Sequence, residues 1–228
     1  QGGVFSPYSA PVGGAGADGA SGSNGTGGWD GTNWKIADGV AGGNGKPGLG
    51  GGGGPGSYPF FVVGDNQTAA GKDAQGASGA GGGAGGCPGL AGTAGTSGGA
   101  SIAVVLSESP VALVSCTVKA QNGGKAGKGT LGSDETLGAS AGANNVSTNS
   151  QAVGANGGRG GRSGVSGNGS AGPTYAIATH NSNVTMTDTT TQVGAGGAGV
   201  DGQSRMDNGF TKSIPPTPAG QSAATTTF

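Results

Sequence analysis

Few side chains in this sequence can do chemistry. His180 is the single histidine, Glu108 and Glu135 are the only glutamates, and Cys87 and Cys116 are the only cysteines. A nucleophilic triad would need His180 joined to an acid and a hydroxyl. Asp188 and Ser182 are near it in sequence, but no second motif supports them, and the expected place of His180 is a solvent-exposed polar turn. A carboxylate pair for acid–base work would have to draw on scattered aspartates. Two cysteines and one histidine are too few for a structural zinc site. GxGxxG recurs, as it must at this glycine density, but never between a strand and a helix, and no phosphate-binding P-loop is present. These residues predict a protein that is not an enzyme and carries no cofactor.

Three further patterns bear on binding. Gly13–Asp18 (GGAGAD) and Gly196–Asp201 (GGAGVD) match the first six positions of the calcium-binding nonapeptide. The eighth position, where a large apolar residue belongs, holds Ala20 and Gln203, and the copies are not in tandem, so calcium is not expected. Thr185, Thr187, Thr189 and Thr191 alternate, and a single strand through them would show a threonine row on one face. Five N-x-S/T sequons, at Asn24, Asn66, Asn145, Asn168 and Asn183, are expected by chance in so polar a chain. Cys87 and Cys116 read two ways: as a disulfide closing a loop of about 30 residues, worth roughly 3–4 kcal/mol in an exported protein, or as two separate thiols.

The aromatic residues carry the clearest candidate surface. Phe5, Tyr8, Trp29, Trp34, Tyr58, Phe60 and Phe61 cluster early in the chain, and Phe228 stands at position 228. They read either as an apolar plug or as an exposed platform for stacking on sugars or on a neighbouring subunit.

The elements that would position these residues follow from glycine spacing. From Gly13 to Gly31 a glycine falls on every third residue, and the pattern returns at Gly39–Gly54, Gly83–Gly98 and Gly158–Gly167. An extended helix of three residues per turn has no internal hydrogen bonds. Its N–H and C=O groups must pair with neighbouring chains, which approach closely only where the side chain is missing. In the third block the glycines start on one phase (76, 79, 82, 85) and continue on another (83, 86, 89), a shift read as a bend.

Ser101–Gly129 and Thr174–Gly202 align without gaps at an offset of 73 residues. Each copy reads as a strand, a polar turn, a second strand and a glycine run, and units of this kind bury a face by stacking on one another. A third, degenerate second-strand unit is expected from Ala143, and SYPFFVV (57–63) reads as a strand.

Composition bounds the rest. Glycine makes up 59 of 228 residues, only 9% of residues are charged, and the formal net charge is −1. Interior glycines each cost a helix about 1 kcal/mol, so essentially no α-helix is expected. Near-neutrality gives no electrostatic reason to bind nucleic acid or anionic lipid. The chain starts at Gln1 and holds no membrane-length apolar span, as expected of a processed, exported protein at the cell surface or outside the cell.

The triplet runs resemble those of collembolan antifreeze proteins, which are bundles of polyglycine-II helices, and those of the glycine-rich tip adhesins of T-even-like bacteriophages. The 73-residue unit is similar to glycine-rich surface proteins of myxobacteria. The fold expected is mainly β and irregular: a polyglycine-II bundle combined with a short parallel β-helix-like strand stack. It divides into an extended arm (1–12), one glycine-rich repeat domain (13–206, with related units 98–132 and 171–205) and an extended tail (207–228). The function expected is a non-enzymatic structural subunit of an extracellular filament, sheath or matrix, with itself as partner. The alternatives are a receptor-binding adhesin that grips a cell-surface glycan or receptor, and an ice-binding protein.

Overall fold

Along the glycine runs, main-chain N–H groups find acceptors on neighbouring tracts at steps of three residues. The computed structural model describes residues 10–31, 33–55, 79–142 and 153–228, and it contains two compact units. One comprises the described residues of Gln1–Asp18, Gly45–Gly89 and Glu135–Arg162. The other comprises those of Gly19–Asn44, Leu90–Asp134 and Ser163–Phe228. The stretch expected as one domain, 13–206, contributes to both. The protein is built of β-strands and extended segments, with no helix among the described residues.

The described residues of the first unit lie in extended tracts that are neither helix nor strand. Gly45, Gly48, Gly51 and Gly54 donate their N–H groups to the carbonyls of Gly89, Gly86, Gly83 and Ala80 at 2.8–3.0 Å. Gly83, Gly86 and Gly89 in turn donate to Ala155, Gly158 and Gly161 at 2.8–2.9 Å. A Cβ built on Gly16, Gly82 or Gly157 would stand 1.9 Å from a neighbouring carbonyl oxygen, so these approaches exist only because the side chains do not. The two glycine phases of the 79–89 tract do not require a bend. Gly79, Gly82 and Gly85 press on residues 54, 51 and 48, while Gly83 and Gly86 press on Ala139 and Thr136. The second phase is a second packing face. Asp18, the acid of the GGAGAD motif, pairs with Arg162 at 3.4 Å, and the buried Glu135 lies 3.4 Å from Arg159 Nη1 and 3.5 Å from Arg162 Nε.

The second unit adds strands to similar tracts. Its spine, residues 163–179, is buried without a break, although 163–171 (SGVSGNGSA) has no hydrophobic pattern. Main chain pairs it to its neighbours, with Gly164 and Gly167 donating to Gly43 and Val40, and Gly169 and Gly172 to Gly127 and Gly124. The buried polar side chains complete the network, as burial requires. Ser166 Oγ accepts from the Gly42 N–H and donates to Gly92 O, while Asn168 Oδ1 accepts from Gly129 and its Nδ2 donates to Pro215 O. Fully buried, Asn168 offers no site for a glycan.

The 73-residue repeat becomes strand pairing. β3 (Ser101–Ser107), β4 (Val111–Val114) and β5 (Thr117–Ala120) pair in parallel with β6 (Thr174–His180), β7 (Val184–Thr187) and β8 (Thr190–Val193), and every partner differs by 73. The corners repeat as well: Glu108 and Asn181 share left-handed φ values of 52° and 48°, as do Ser115 and Asp188 at 53° and 48°. Leu106, Val118, Ala176 and Ile177 form the apolar core between the strands. The Asp188 corner divides the threonine row between β7 and β8, and Thr189 turns its hydroxyl to Leu113 O and Thr187 O. No single threonine face runs from 185 to 191.

Residues 207–228, expected as a tail, are folded into this unit. β9 (Gln203–Asp207) and β10 (Phe210–Ile214) form an antiparallel hairpin whose turn residues, Asn208 and Gly209, have φ values of 44° and 82°, the signature of a type I′ turn. β11 (Ser222–Thr227) lies parallel to β6 on the side opposite β3. The remaining strands, β1 (Gly28–Asp30) and β2 (Asn33–Lys35), form a short hairpin. Cys87 and Cys116 are both exposed free thiols, so no disulfide closes the loop between them: Cys116 Sγ instead turns to Val114 O at 3.0 Å. The predicted strand at 57–63, most of the 1–12 arm and most of the degenerate second-strand unit lie outside the described residues.

Candidate ligand-binding cavity

The β1–β2 hairpin sets two indoles opposite each other. Its register pairs Trp29 with Trp34, and directly opposed aromatics on a two-stranded ribbon gain from contact with each other. The rings meet edge to face, with centroids 5.8 Å apart and planes at 88°. An exposed ion pair between Lys35 and Asp30 runs diagonally across the two strands of the hairpin.

Behind the hairpin stand β6 and the segment ending in β11. Phe228 stacks on Trp29 at 3.8 Å and 5°, and Tyr175 lies 6.5 Å from Trp29 at 27°. His180 stacks on Phe228 at 5.3 Å, and its Nδ1 lies 2.7 Å from Phe228 O. The expected exposed turn histidine is therefore half-buried at the end of β6. Ser182 directs its hydroxyl to the His180 carbonyl rather than to the ring.

Between the hairpin, Tyr175 and the 217–221 segment lies a cavity of about 450 Å³. Trp29, Trp34 and Tyr175 line it with Thr217, Gln221 and Thr226, and no charged side chain contributes to its wall. Tyr175 donates its hydroxyl to Gln221 Oε1 at 2.7 Å. Thr217 is fixed through its main chain, which exchanges both hydrogen bonds with Val200 at 2.8 and 3.0 Å.

Tyr175 is only 3% exposed. Burial pushes its phenol above the ordinary value of 10.0, against a smaller lowering by the Thr226 side chain. Above about pH 10 the unfolded chain loses a proton that the folded state keeps, so this contribution to stability is complete below that pH and is lost as pH climbs through the folded value. Tyr175→Phe should flatten the alkaline fall in melting temperature, at a cost near neutrality of about 1 kcal/mol for the hydrogen bond. An alkaline limb identical to that of the wild type would contradict this assignment.

Of the aromatic residues singled out in the sequence, Trp29, Trp34 and Phe228 come together here. Phe5, Tyr8, Tyr58, Phe60 and Phe61 lie outside the described residues. Sequence reasoning missed Tyr175, His180 and Thr217 as members of the site. Tyr175 had a signal: it takes the repeat position that Ile102 holds in the first copy, a change from aliphatic to aromatic where the alignment otherwise keeps strand character. Thr217, in a proline-rich stretch, had none. Comparison with known protein families, with curated proteins and with solved structures finds no match for this chain.

Proposed function

We propose that this chain is a non-enzymatic structural protein of an extracellular filament, sheath or surface matrix. Its glycine tracts act as polyglycine-II helices packed main chain to main chain, beside a short parallel β-helix-like stack. The tract geometry is supported by N–H groups that find partners at steps of three residues and by glycines whose added Cβ would fall on a neighbour's carbonyl. Such a block depends on backbone hydrogen bonds where a conventional domain depends on side-chain burial.

The observation that carries assembly is the bare edge of the strand stack. Among the described residues β7 and β8 each pair with one strand only. The Val111 and Ser115 N–H groups bond to the carbonyls of Asn183 and Thr187. Alternation along a parallel ladder then leaves the Val184 and Met186 amides on the outer edge. Met186 and Val193 are exposed there, and an uncovered apolar edge is a template for another chain. The geometry by which β4 and β5 dock on β7 and β8 would let a second copy add its own β4 and β5 in the same register.

Light scattering across a concentration series should therefore show self-association, and electron microscopy should show extended polymers. Met186→Pro, which removes an outward N–H from an edge strand, should give a folded monomer. A wild type that stays monomeric at every concentration refutes self-assembly. A second reading, a receptor-binding adhesin, is favoured by the aromatic cavity.

A further inference from the structure

Two side chains on the wall of one cavity each carry a buried polar atom that has no hydrogen-bond partner among the described residues. The atoms are Trp34 Nε1 and Thr217 Oγ1. Buried polar groups are nearly always satisfied, and leaving one unsatisfied costs about 1–3 kcal/mol. Finding two on the wall of the same cavity points to a partner that enters it. Thr217 is only 7% exposed, and its main chain is pinned to Val200, so its hydroxyl cannot turn out to solvent by a small loop movement.

The chemistry of the wall narrows the partner. An indole N–H only donates, whereas a threonine hydroxyl both donates and accepts. The occupant must therefore present an acceptor to one and either role to the other, which a sugar hydroxyl does. Trp29 and Trp34, both partly exposed, supply apolar area for the C–H face of a pyranose ring, and Phe228 stacked on Trp29 holds that indole in place. No charged side chain lines the cavity, so it offers nothing to offset the desolvation of a phosphate, a carboxylate or an ammonium group. The volume of about 450 Å³ falls in the range of small-ligand sites, roughly 300–1,000 Å³. Thr26 and Thr227, both exposed, place its mouth at the surface.

We propose that this cavity is a binding site for a neutral saccharide unit, with the indole rings against the sugar face and the Trp34 and Thr217 side chains turning their unpartnered N–H and hydroxyl toward its hydroxyls as it enters. Such a site rests on the adhesin reading, to which it gives a ligand class, and is independent of the bare strand edges.

Trp29 and Trp34 are the only tryptophans in the chain, so intrinsic tryptophan fluorescence reports on this site alone. The full chain is titrated with glucose, galactose, mannose, N-acetylglucosamine and their disaccharides, with N-acetylneuraminic acid and inorganic phosphate as charged probes. At least one neutral sugar should change the emission saturably, and the charged probes should not. Thr217→Val, which keeps the shape and removes the unpartnered hydroxyl, should weaken that sugar about tenfold, as expected for a lost hydrogen bond, without lowering the melting temperature. Trp34→Phe should also weaken it, with Trp29 as the remaining reporter. Silence from every neutral sugar, an equal response to N-acetylneuraminic acid, or undiminished binding by Thr217→Val would overturn the proposal. Light scattering on the same samples reads self-association separately, so either idea can fail without the other.

Discussion

Gly98→Ala should lower the melting temperature by about 10 °C or more, while Gly99→Ala, one residue away, should leave it unchanged or slightly raised. A Cβ on Gly98 would stand 1.9 Å from the Gly124 oxygen and 2.3 Å from its carbonyl carbon. Both atoms are main chain, so no rotamer relieves the overlap. The neighbouring tract must move away, which strains the bonds from Gly98 to Ser170 and from Gly124 to Gly99, each now 2.8 Å. Overpacking alone costs about 1–3 kcal/mol, and each weakened main-chain bond adds about 1 kcal/mol. At roughly 2–4 °C per kcal/mol for a chain of this size, the expected fall follows. A Cβ on Gly99 meets nothing within 4 Å, and its φ is not left-handed, so alanine there gains about 0.4–1 kcal/mol from a less flexible unfolded chain. Two adjacent glycines of one tract thus separate close approach from glycine content. Equal effects of the two substitutions would remove the physical basis for the packed-tract architecture.

That contrast marks how far the sequence could be read. Period three located the first tract, and five of its seven glycines touch main chain: Gly13, Gly16, Gly19, Gly22 and Gly25 each place an added Cβ within 2.1 Å of a carbonyl oxygen, whereas Gly28 and Gly31, in the β1–β2 hairpin, meet nothing within 4 Å. The offset of 73 residues predicted the pairing of Ser101 with Thr174, Val111 with Val184 and Thr117 with Thr190. Both signals are repetitive, and repetition survives in sequence because each unit meets the same neighbour. Elements used once left weaker traces. β11 reads SAATTT, without apolar alternation, because it lies at the sheet's edge with most of its residues exposed. Asn208-Gly209 was a usable turn signal that the prolines after it obscured. The buried polar run at 163–171 defeats hydropathy altogether: its burial comes from main-chain pairing, for which serine and asparagine are as suitable as valine. Two of the site's three wall aromatics, Trp29 and Trp34, were legible as aromatic residues, but the cavity was not. It depends on Thr217 and Tyr175, which the fold brings together from 42 residues apart, as the chain numbering gives.

Asp207→Ala should cost about 3–5 kcal/mol, since it strips the partner from a buried ammonium. The Lys212 side chain is 6% exposed and that of Asp207 is 2% exposed, with 2.7 Å between Nζ and Oδ2. Nζ also donates to Ser133 O at 3.0 Å and Ser163 Oγ at 3.1 Å, with Asp134 3.6 Å away and itself paired to Arg205. These groups tie the β9–β10 hairpin to the 121–134 and 163–173 tracts, so the loss should appear as premature unfolding of the hairpin in hydrogen exchange as well as in the melting temperature. The double substitution Asp207→Leu with Lys212→Met should recover most of the stability. It removes both charges together, and the desolvation of a buried pair roughly cancels its attraction. The Ser133 carbonyl is not orphaned in the double variant, because the Ser163 hydroxyl also donates to it at 2.8 Å. A single substitution costing under about 1 kcal/mol would place the ammonium in contact with water and leave the hairpin anchored by its main chain alone. A double variant no better than Asp207→Ala would instead make the ammonium's bonds to Ser133 and Ser163, rather than the charge pair, the link that holds the hairpin.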